Sequence, residues 1–300
     1  MTMIRDLIGK ELLIGDGAMG TLMQARGLDG GKYPALLNFS EAKAIEQIHR
    51  DYFEAGSNLV ASNTFSANRF HLKETGKTVK EVVDQAMSIA RNAAEKANTR
   101  YGRGFVAMNI AATGQLLEPY GDMEEDEAYD VFAEMITAGV AAGADLIFCE
   151  TFSDANEIRI ACQAAKDNCD LPIFASCSFE AGGRTFMGAT PEMIVETLEE
   201  VGVDAVGLNC SLGPEQMLPL VKRFLEIAKV PVVVQPNAGL PVVENGKTIY
   251  KVTPEEFMIY MEQMLDAGVS IVGSCCGTTP DFIRAIRESA EKRGYAIARP

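Results

Sequence analysis

Three of the seven cysteines could together hold a metal ion: Cys210 and the adjacent pair Cys275 and Cys276. Three thiolates form a soft ligand set that suits zinc and leaves a fourth position open or weakly held by an oxygen. Spacing alone favours a plainer interpretation, a buried cysteine and an inert vicinal pair, because 65 residues separate Cys210 from Cys275. A redox pair is disfavoured, since a vicinal disulfide is strained and no CxxC pattern is present. The fold must therefore decide whether the three sulfurs meet.

Eight short apolar runs rich in β-branched residues alternate with amphipathic segments along the whole chain. The runs start about 37 residues apart on average, which is enough for one strand, one helix and two loops. Near-continuous apolar strands of this kind indicate a parallel sheet covered by helices. The predicted strands are residues 12–18, 58–65, 104–111, 145–151, 172–179, 205–211, 230–239 and 270–276.

Helix ends are marked by recurring local signals. Four phrases each combine a helix end, a glycine and a polar residue before a strand: EAGSNLV, AAGADLI, EVGVDAV and DAGVSIV. Helices are predicted to start at Ser40, Thr190, Thr253 and Thr279, the last three followed by proline.

Eight such units predict an α/β fold, a single (βα)8 TIM barrel with its site at the C-terminal ends of the strands. The alternative is an open doubly wound sheet, but IGDGAMG does not match GxGxxG in register. No linker or composition shift divides the chain, so residues 1–300 are predicted to form one domain.

The C-terminal strand ends of such a barrel converge on one mouth. The predicted strands bring acids, amides and all three cysteines to it, and this convergence favours the metal site. Neither His49, within a helix, nor His71, in the region after the second strand, is expected at the mouth or in catalysis. The strand-end residues are Asp16, Gly17, Ala18, Asn63, Phe65, Asn109, Glu150, Asn209, Cys210, Asn237, Cys275 and Cys276.

A zinc ion held by three thiolates is a poor activator of water, but it keeps an incoming thiol ionised near neutral pH. Asp16 and Glu150 could accept an ammonium group, and the backbone amides at Gly17 and Ala18 could hold a carboxylate. Taken alone, Asp16 fits equally well as a turn former in an Asp-Gly pair. Together these groups predict an amino-acid thiol as the substrate of an alkyl transfer.

Six motifs, DGAMGT (16–21), SNTF (62–65), ETF (150–152), GLNCSLGP (207–214), PNAGLP (236–241) and SCCGTTP (274–280), carry a family resemblance. Over residues 10–290 the chain resembles the homocysteine S-methyltransferase family, and within it the homocysteine-binding modules of cobalamin-dependent methionine synthases. Ser274 departs from the pattern, which has glycine before the cysteine pair.

The resemblance implies Zn²⁺ held by Cys210, Cys275 and Cys276, with Asn237 as a weak fourth ligand that homocysteine displaces. It places Asp16 and Glu150 near the substrate amino group and the Gly17 and Ala18 amides near its carboxylate. The implied reaction methylates homocysteine to methionine, with methylcobalamin supplied by a corrinoid-carrying domain or protein. Other family members use S-methylmethionine or a betaine-like donor. A non-catalytic module that binds zinc and homocysteine is the remaining alternative.

Composition excludes several other classes of function. Lysine and arginine total 27 against 42 acidic residues, a net charge of −15, so nucleic acid and anionic membrane surfaces are not expected partners. No apolar run approaches the ~20 residues needed to span a bilayer, and the first residues lack a signal-peptide core, so a cytoplasmic protein is expected. The other four cysteines are expected to be free thiols without a functional role: Cys149, Cys162, Cys169 and Cys177.

Overall fold

The computed structural model describes residues 3–97, 103–244 and 246–297. Eight parallel strands form one sheet in the order β1-β10-β7-β6-β5-β4-β3-β2, which is a nearly closed TIM barrel. All eight predicted strands and the predicted fold class are confirmed. The strands are β1 Leu13–Ile14, β2 Leu59–Ala61, β3 Phe105–Ile110, β4 Leu146–Phe152, β5 Ile173–Cys177, β6 Ala205–Asn209, β7 Val232–Gln235, β8 Val242–Glu244, β9 Lys247–Ile249 and β10 Ile271–Val272.

Helices cover the outside of the sheet. Thr190 and Thr253 cap α8 and α10 as predicted, because their side chains accept hydrogen bonds from the backbone N–H groups of Met193 and Glu256. Thr279 also occupies the N-cap position, at the start of α11. The helices are α1 Gly20–Ala25, α2 Leu37–Ser40, α3 Ala42–Ala55, α4 Arg69–Leu72, α5 Val79–Lys96, α6 Glu125–Ala141, α7 Ala155–Asn168, α8 Pro191–Val201, α9 Pro214–Ile227, α10 Pro254–Asp266 and α11 Pro280–Lys292.

The predicted helix start at Ser40 is wrong. Ser40 is the last residue of the short α2, and the non-helical backbone of Glu41 (φ −128°, ψ 30°) separates it from α3. Two helices thus meet where the pattern indicated one start. The sequence also gave no sign of the antiparallel hairpin β8–β9, which lies outside the barrel sheet between β7 and α10.

Side chains bridge the barrel between its first two strands. Asn58 donates its backbone N–H to the Ile14 carbonyl (2.6 Å), and its Oδ1 accepts from the Ile14 N–H (2.8 Å). One step further on, Asp16 Oδ2 accepts from the backbone N–H of Ala61 (2.9 Å). Asp16 therefore helps to close the barrel in addition to facing its mouth.

The core has two compartments, as the two-residue period of strands requires. Along β3, Phe105 and Ala107 pack inside the barrel, whereas Val106 and Met108 pack outward against the helices. The interior cluster is closed at the amino-terminal end by a short 3-10 helix, Ile4–Asp6, which contributes Ile4. Within the described residues, no helix is both long and apolar enough to cross a membrane.

Candidate metal and substrate site

A cavity of about 380 Å³ opens at the C-terminal ends of the strands. The predicted site residues other than Asn237 line it, together with Asn63, Phe65 and Asn109 from the same strand ends. The predicted residues that line the cavity are Asp16, Gly17, Ala18, Glu150, Cys210, Cys275 and Cys276. The fold thus brings together side chains that are up to 260 residues apart in sequence.

The three cysteine sulfurs form one cluster. All three Sγ atoms lie within 4.8 Å of one another, and Cys210 Sγ and Cys276 Sγ are 3.8 Å apart. A tetrahedral zinc site with Zn–S bonds near 2.3 Å separates its sulfurs by about 3.8 Å, so the cluster fits such an ion.

Local backbone geometry produces this cluster. Cys210 follows β6 in a left-handed conformation (φ 61°), and its N–H donates to the Gln235 carbonyl (3.0 Å). Cys275 follows β10, on the other side of β7, and its N–H donates to the Pro236 carbonyl (2.8 Å). Gly277 (φ 82°) then turns the chain, so Cys275 and Cys276 do not continue a strand and their sulfurs need not point to opposite faces.

Asn237 lies behind this cluster and is buried. After Cys275 and Cys276, its side chain also helps to lower the pKa of Cys210, whereas its Oδ1 has no hydrogen-bond partner among the described residues. A buried carbonyl oxygen without a donor is costly, and a cation would satisfy it. A free oxygen on a side chain next to Cys210 is the feature expected of a weak fourth ligand.

The charges of the three thiols are interdependent. Hydrogen bonds from Cys275 and Cys276 lower the pKa of Cys210 to about 3, and these same bonds to Cys210 raise the pKa of Cys275. The bond to Cys210 also raises the pKa of Cys276, to about 12. One thiolate therefore forms easily and disfavours the next two, so three thiolates require a cation to coexist.

Asp16 and Glu150 face the cavity as a pair of carboxyl groups. Burial, and to a smaller extent the charge of Glu150, raises the pKa of Asp16 to about 8, against the hydrogen bond from Ala61. Burial likewise raises the pKa of Glu150 to about 7, although its Oε1 accepts a 2.7 Å hydrogen bond from Asn109 Nδ2. A bound cation would favour ionisation of both groups, which is what an ammonium site requires.

In the turn after β1, position 17 has no room for a side chain. A Cβ on Gly17 would lie 2.8 Å from both Ser274 Oγ and Thr278 Oγ1 and 2.9 Å from Tyr52 Oη. The backbone N–H of Ala18 donates to Thr278 Oγ1 (3.1 Å), so this amide already has an acceptor.

Free amides are nevertheless present in this turn. Within the described part of the chain, the N–H groups of Gly17 and Met19 have no acceptor, and both residues line the cavity. The amides able to hold a carboxylate therefore include those of Gly17 and Met19, on either side of Ala18.

His49 and His71 have different positions. His49 is buried within α3 and does not line the cavity, as expected. The expectation that His71 is also absent from the mouth is wrong, because His71 lines the cavity beside Lys32 and Ser66. Asn68 caps α4 by accepting from the His71 N–H (3.0 Å) and so fixes this short helix over the mouth. The sequence feature that could have placed His71 at the mouth is its position in the segment after a strand, because these segments build the mouth of a barrel.

Asn209 proves to be a link between strand ends. Its Oδ1 accepts from the Thr151 N–H (2.9 Å) and the Ser176 hydroxyl (2.7 Å), and its Nδ2 donates to Thr151 Oγ1 (2.7 Å). Thr151 has φ 66°, a conformation that a threonine adopts only when its surroundings hold it there. Asn209 therefore fixes the backbone between Glu150 and Cys210, which the sequence pattern alone did not reveal.

The geometry of the site agrees with the family to which comparisons assign the chain. A model of the homocysteine S-methyltransferase family matches residues 13–290. The chain belongs to the homocysteine S-methyltransferase family, which confirms the resemblance.

Particular relatives are methionine synthases. That of Mycobacterium tuberculosis (strain ATCC 25618 / H37Rv) is 31% identical over 301 aligned positions, covering 95% of this chain and 25% of that protein. The methionine synthase of Mycobacterium leprae (strain TN) gives the same identity and coverage. The chain thus spans about a quarter of the length of these relatives.

Among solved structures, the homocysteine methyltransferase MmuM from Escherichia coli has the same fold. Its metallated form matches with a TM-score of 0.79 and 22% identity, covering 93% of this chain and 96% of that one. Its oxidized form matches with a TM-score of 0.80 and 23% identity, covering 95% and 98%. At this identity the likeness concerns the fold alone.

Proposed function

We propose that the chain, as one homocysteine-binding barrel domain over residues 1–300, transfers a methyl group to the thiol of homocysteine and forms methionine in a zinc-dependent reaction. The observation that carries this proposal is the cluster of three sulfurs within 4.8 Å, with the unpartnered Oδ1 of Asn237 on a side chain next to Cys210 and two buried carboxyl groups lining the same cavity. A thiol-binding metal site and an ammonium site at one mouth match the two ends of an amino-acid thiol.

Each proposed role follows from the contacts of the residue. Cys210, Cys275 and Cys276 hold Zn²⁺, and Asn237 Oδ1 supplies the weak fourth ligand. When bound, the zinc ion supplies Lewis acidity that keeps a thiol ionised near neutral pH.

The remaining groups fix the amino-acid end of the substrate. Asp16 and Glu150 accept hydrogen bonds from its ammonium group, and the turn at Gly17 and Ala18 takes its carboxylate through free N–H groups on either side of Ala18. These contacts orient the thiol for attack along the line of the donor methyl bond, and holding the two reactants in place lowers the entropic part of the barrier.

Methylcobalamin, held by a corrinoid-carrying domain or protein, is the proposed methyl donor, and the cytoplasm, where thiols stay reduced, is the proposed compartment. Support comes from the rim of the mouth, where large apolar side chains are exposed in the loops after β2, β3, β5 and β7 and in the hairpin β8–β9. Exposed apolar groups on several loops suit a macromolecular partner better than a small free donor. These side chains are Phe65, Leu116, Tyr120, Phe186, Leu240 and Val243.

The test is the rate at which homocysteine demethylates methylcobalamin, followed by absorbance with zinc-loaded and chelator-stripped protein. We expect turnover only with zinc, and recovery when zinc is returned to the stripped sample. Turnover with S-methylmethionine or a betaine instead would replace the proposed donor. Zinc and homocysteine binding without turnover on any donor would overturn the catalytic proposal in favour of a binding module.

A further inference from the structure

The hairpin β8–β9 returns the chain to the sulfur cluster. The chain leaves the barrel after Ala238 and comes back at Val252, whose N–H donates to the Ala238 carbonyl (3.3 Å). The Ala238 N–H in turn donates to the Cys276 carbonyl (2.9 Å). The base of the hairpin is therefore fixed to the backbone of a proposed zinc ligand, and Tyr250, the first residue after β9, lies at this base.

Tyr250 packs directly on the residue after Cys276. A Cβ built on Gly277 would lie 2.2 Å from Tyr250 Cγ and 2.4 Å from its Cβ, so only glycine leaves room for this side chain. The other side of Gly277 is also fixed, because its N–H donates to Thr21 Oγ1 (2.9 Å). From this position Tyr250 lies close to Cys276 without lining the cavity, and burial, followed by the neighbouring Cys276, raises the pKa of the Tyr250 hydroxyl.

We propose that Tyr250 is a positioning residue of the metal centre, whose hydroxyl holds the Cys276 sulfur by a hydrogen bond and limits the charge that this sulfur donates to the ion. The inference rests on the proposed zinc site. A hydrogen bond to a thiolate withdraws electron density, so the ion keeps more of its positive charge for the fourth ligand. Tyr250 thereby favours ionisation of the substrate thiol without touching the substrate.

Cobalt(II) substitution makes this effect visible without relying on activity. In Tyr250→Phe the ring still packs on Gly277 and only the hydroxyl is lost. We expect the thiolate-to-cobalt charge-transfer band to move to longer wavelength, because an unbonded thiolate gives up charge more easily. Zinc affinity, measured by competition with a chromophoric chelator, should fall about tenfold, the lower end of the range for lost outer-sphere partners.

Two further variants separate hydrogen bonding from packing. Tyr250→Leu fills part of the same space without a hydroxyl and should show the same band shift, whereas Tyr260→Phe, on α10 with its hydroxyl near Glu215, should match the wild type. An unshifted band in Tyr250→Phe, or a shift in Tyr250→Leu alone, would overturn the role of the hydroxyl. Wild-type protein that binds neither cobalt nor zinc would instead overturn the proposed metal site itself.

Discussion

The two ends of the barrel interior are built from the same strands and have opposite properties. At the amino-terminal end, Phe148 of β4 packs edge-on against Phe174 of β5, with ring centroids 6.1 Å apart and an angle of 80° between the rings. Two residues further along β4, the inward position is Glu150. One strand thus supplies both a core side chain and a site side chain. On β4, a residue that stabilises the core and a residue that faces the site are thus only two positions apart, a distance of about 7 Å.

The C-terminal end of the barrel interior, which forms the mouth and is called the upper end below, contains features that destabilise the folded protein when no ligand is bound. Within the described residues, the three non-glycine residues with positive φ are Thr151, Cys210 and Ser211, all next to the cavity. Two carboxyl groups there are buried, and the Asn237 Oδ1 has no partner. Among the residues that the structure describes, the apolar cluster at the amino-terminal end of the barrel, the lower end, contains none of these. Strain and buried polar groups are kept where a cation and a substrate would offset them.

The sharpest test of this separation is Cys210→Ala. Removing one of three sulfurs should lower zinc affinity far more than the about 10- to 100-fold typical of an outer-sphere partner, and turnover should fall to background with it. Unfolding of the metal-free protein should change little, because Cys210 is only partly buried. Zinc content and unfolding curves measure both effects, with Cys169→Ala at the end of α7 as the matched control. Retained zinc together with retained turnover would refute the assignment.

The complementary change is Phe148→Ala at the lower end. Truncating a buried phenylalanine leaves a cavity and should lower the free energy of unfolding by about 3–5 kcal/mol in urea titrations of the metal-free protein. The variant that remains folded should bind zinc as the wild type does. Phe186→Ala, in the exposed loop after β5, should change stability by less than about 0.5 kcal/mol. If Phe148→Ala lost zinc while still folded, the two ends would not be independent.

The sequence predicted the barrel and the convergence at its mouth because both depend on repeated, local signals. Apolar runs recur eight times and glycine stops four times, and residues that end parallel strands of a barrel must meet. The hairpin β8–β9 was missed because two three-residue strands in an exposed excursion bury no periodic face. His71 was missed because its position depends on the Asn68 cap, and the acceptor of the Ala18 amide is Thr278, 260 residues away. These are pairings of single side chains, which no sequence period encodes.

Glu150→Gln tests the proposed ammonium-binding part of the site. The variant keeps the shape of the side chain but not its charge, so it should raise the KM for homocysteine about 10- to 100-fold, the equivalent of a charged hydrogen bond worth about 1.5–3 kcal/mol. Zinc content should stay at the wild-type level, because Glu150 is not a ligand. Steady-state kinetics with metal analysis on the same samples measures both. Unchanged KM would remove Glu150 from the site, and lost zinc would show that substrate and metal halves are coupled.

The smallest expected effect is the pH dependence that the buried carboxyl groups confer. Because the pKa values of Asp16 and Glu150 are raised to about 8 and about 7, both groups are partly protonated near neutrality. In the ligand-free protein a raised carboxyl pKa contributes stability that is present below the pKa of the unfolded chain, near 4, and is lost as pH rises through 7 and 8. Ammonium binding requires the ionised forms, so homocysteine affinity should increase over this same range.

An analogue without the amino group isolates this contribution. 4-Mercaptobutyrate keeps the thiol and the carboxylate of homocysteine, so ionisation of its thiol affects binding in the same direction. Between pH 6 and pH 8, calorimetry should show homocysteine affinity rising about tenfold more than that of the analogue, the equivalent of about 1.4 kcal/mol. Parallel profiles for the two ligands would mean that neither Asp16 nor Glu150 receives the ammonium group. The role of the two carboxyl groups would then be structural: Asp16 would close the barrel by its hydrogen bond from the Ala61 N–H, and Glu150 would orient the Asn109 side chain.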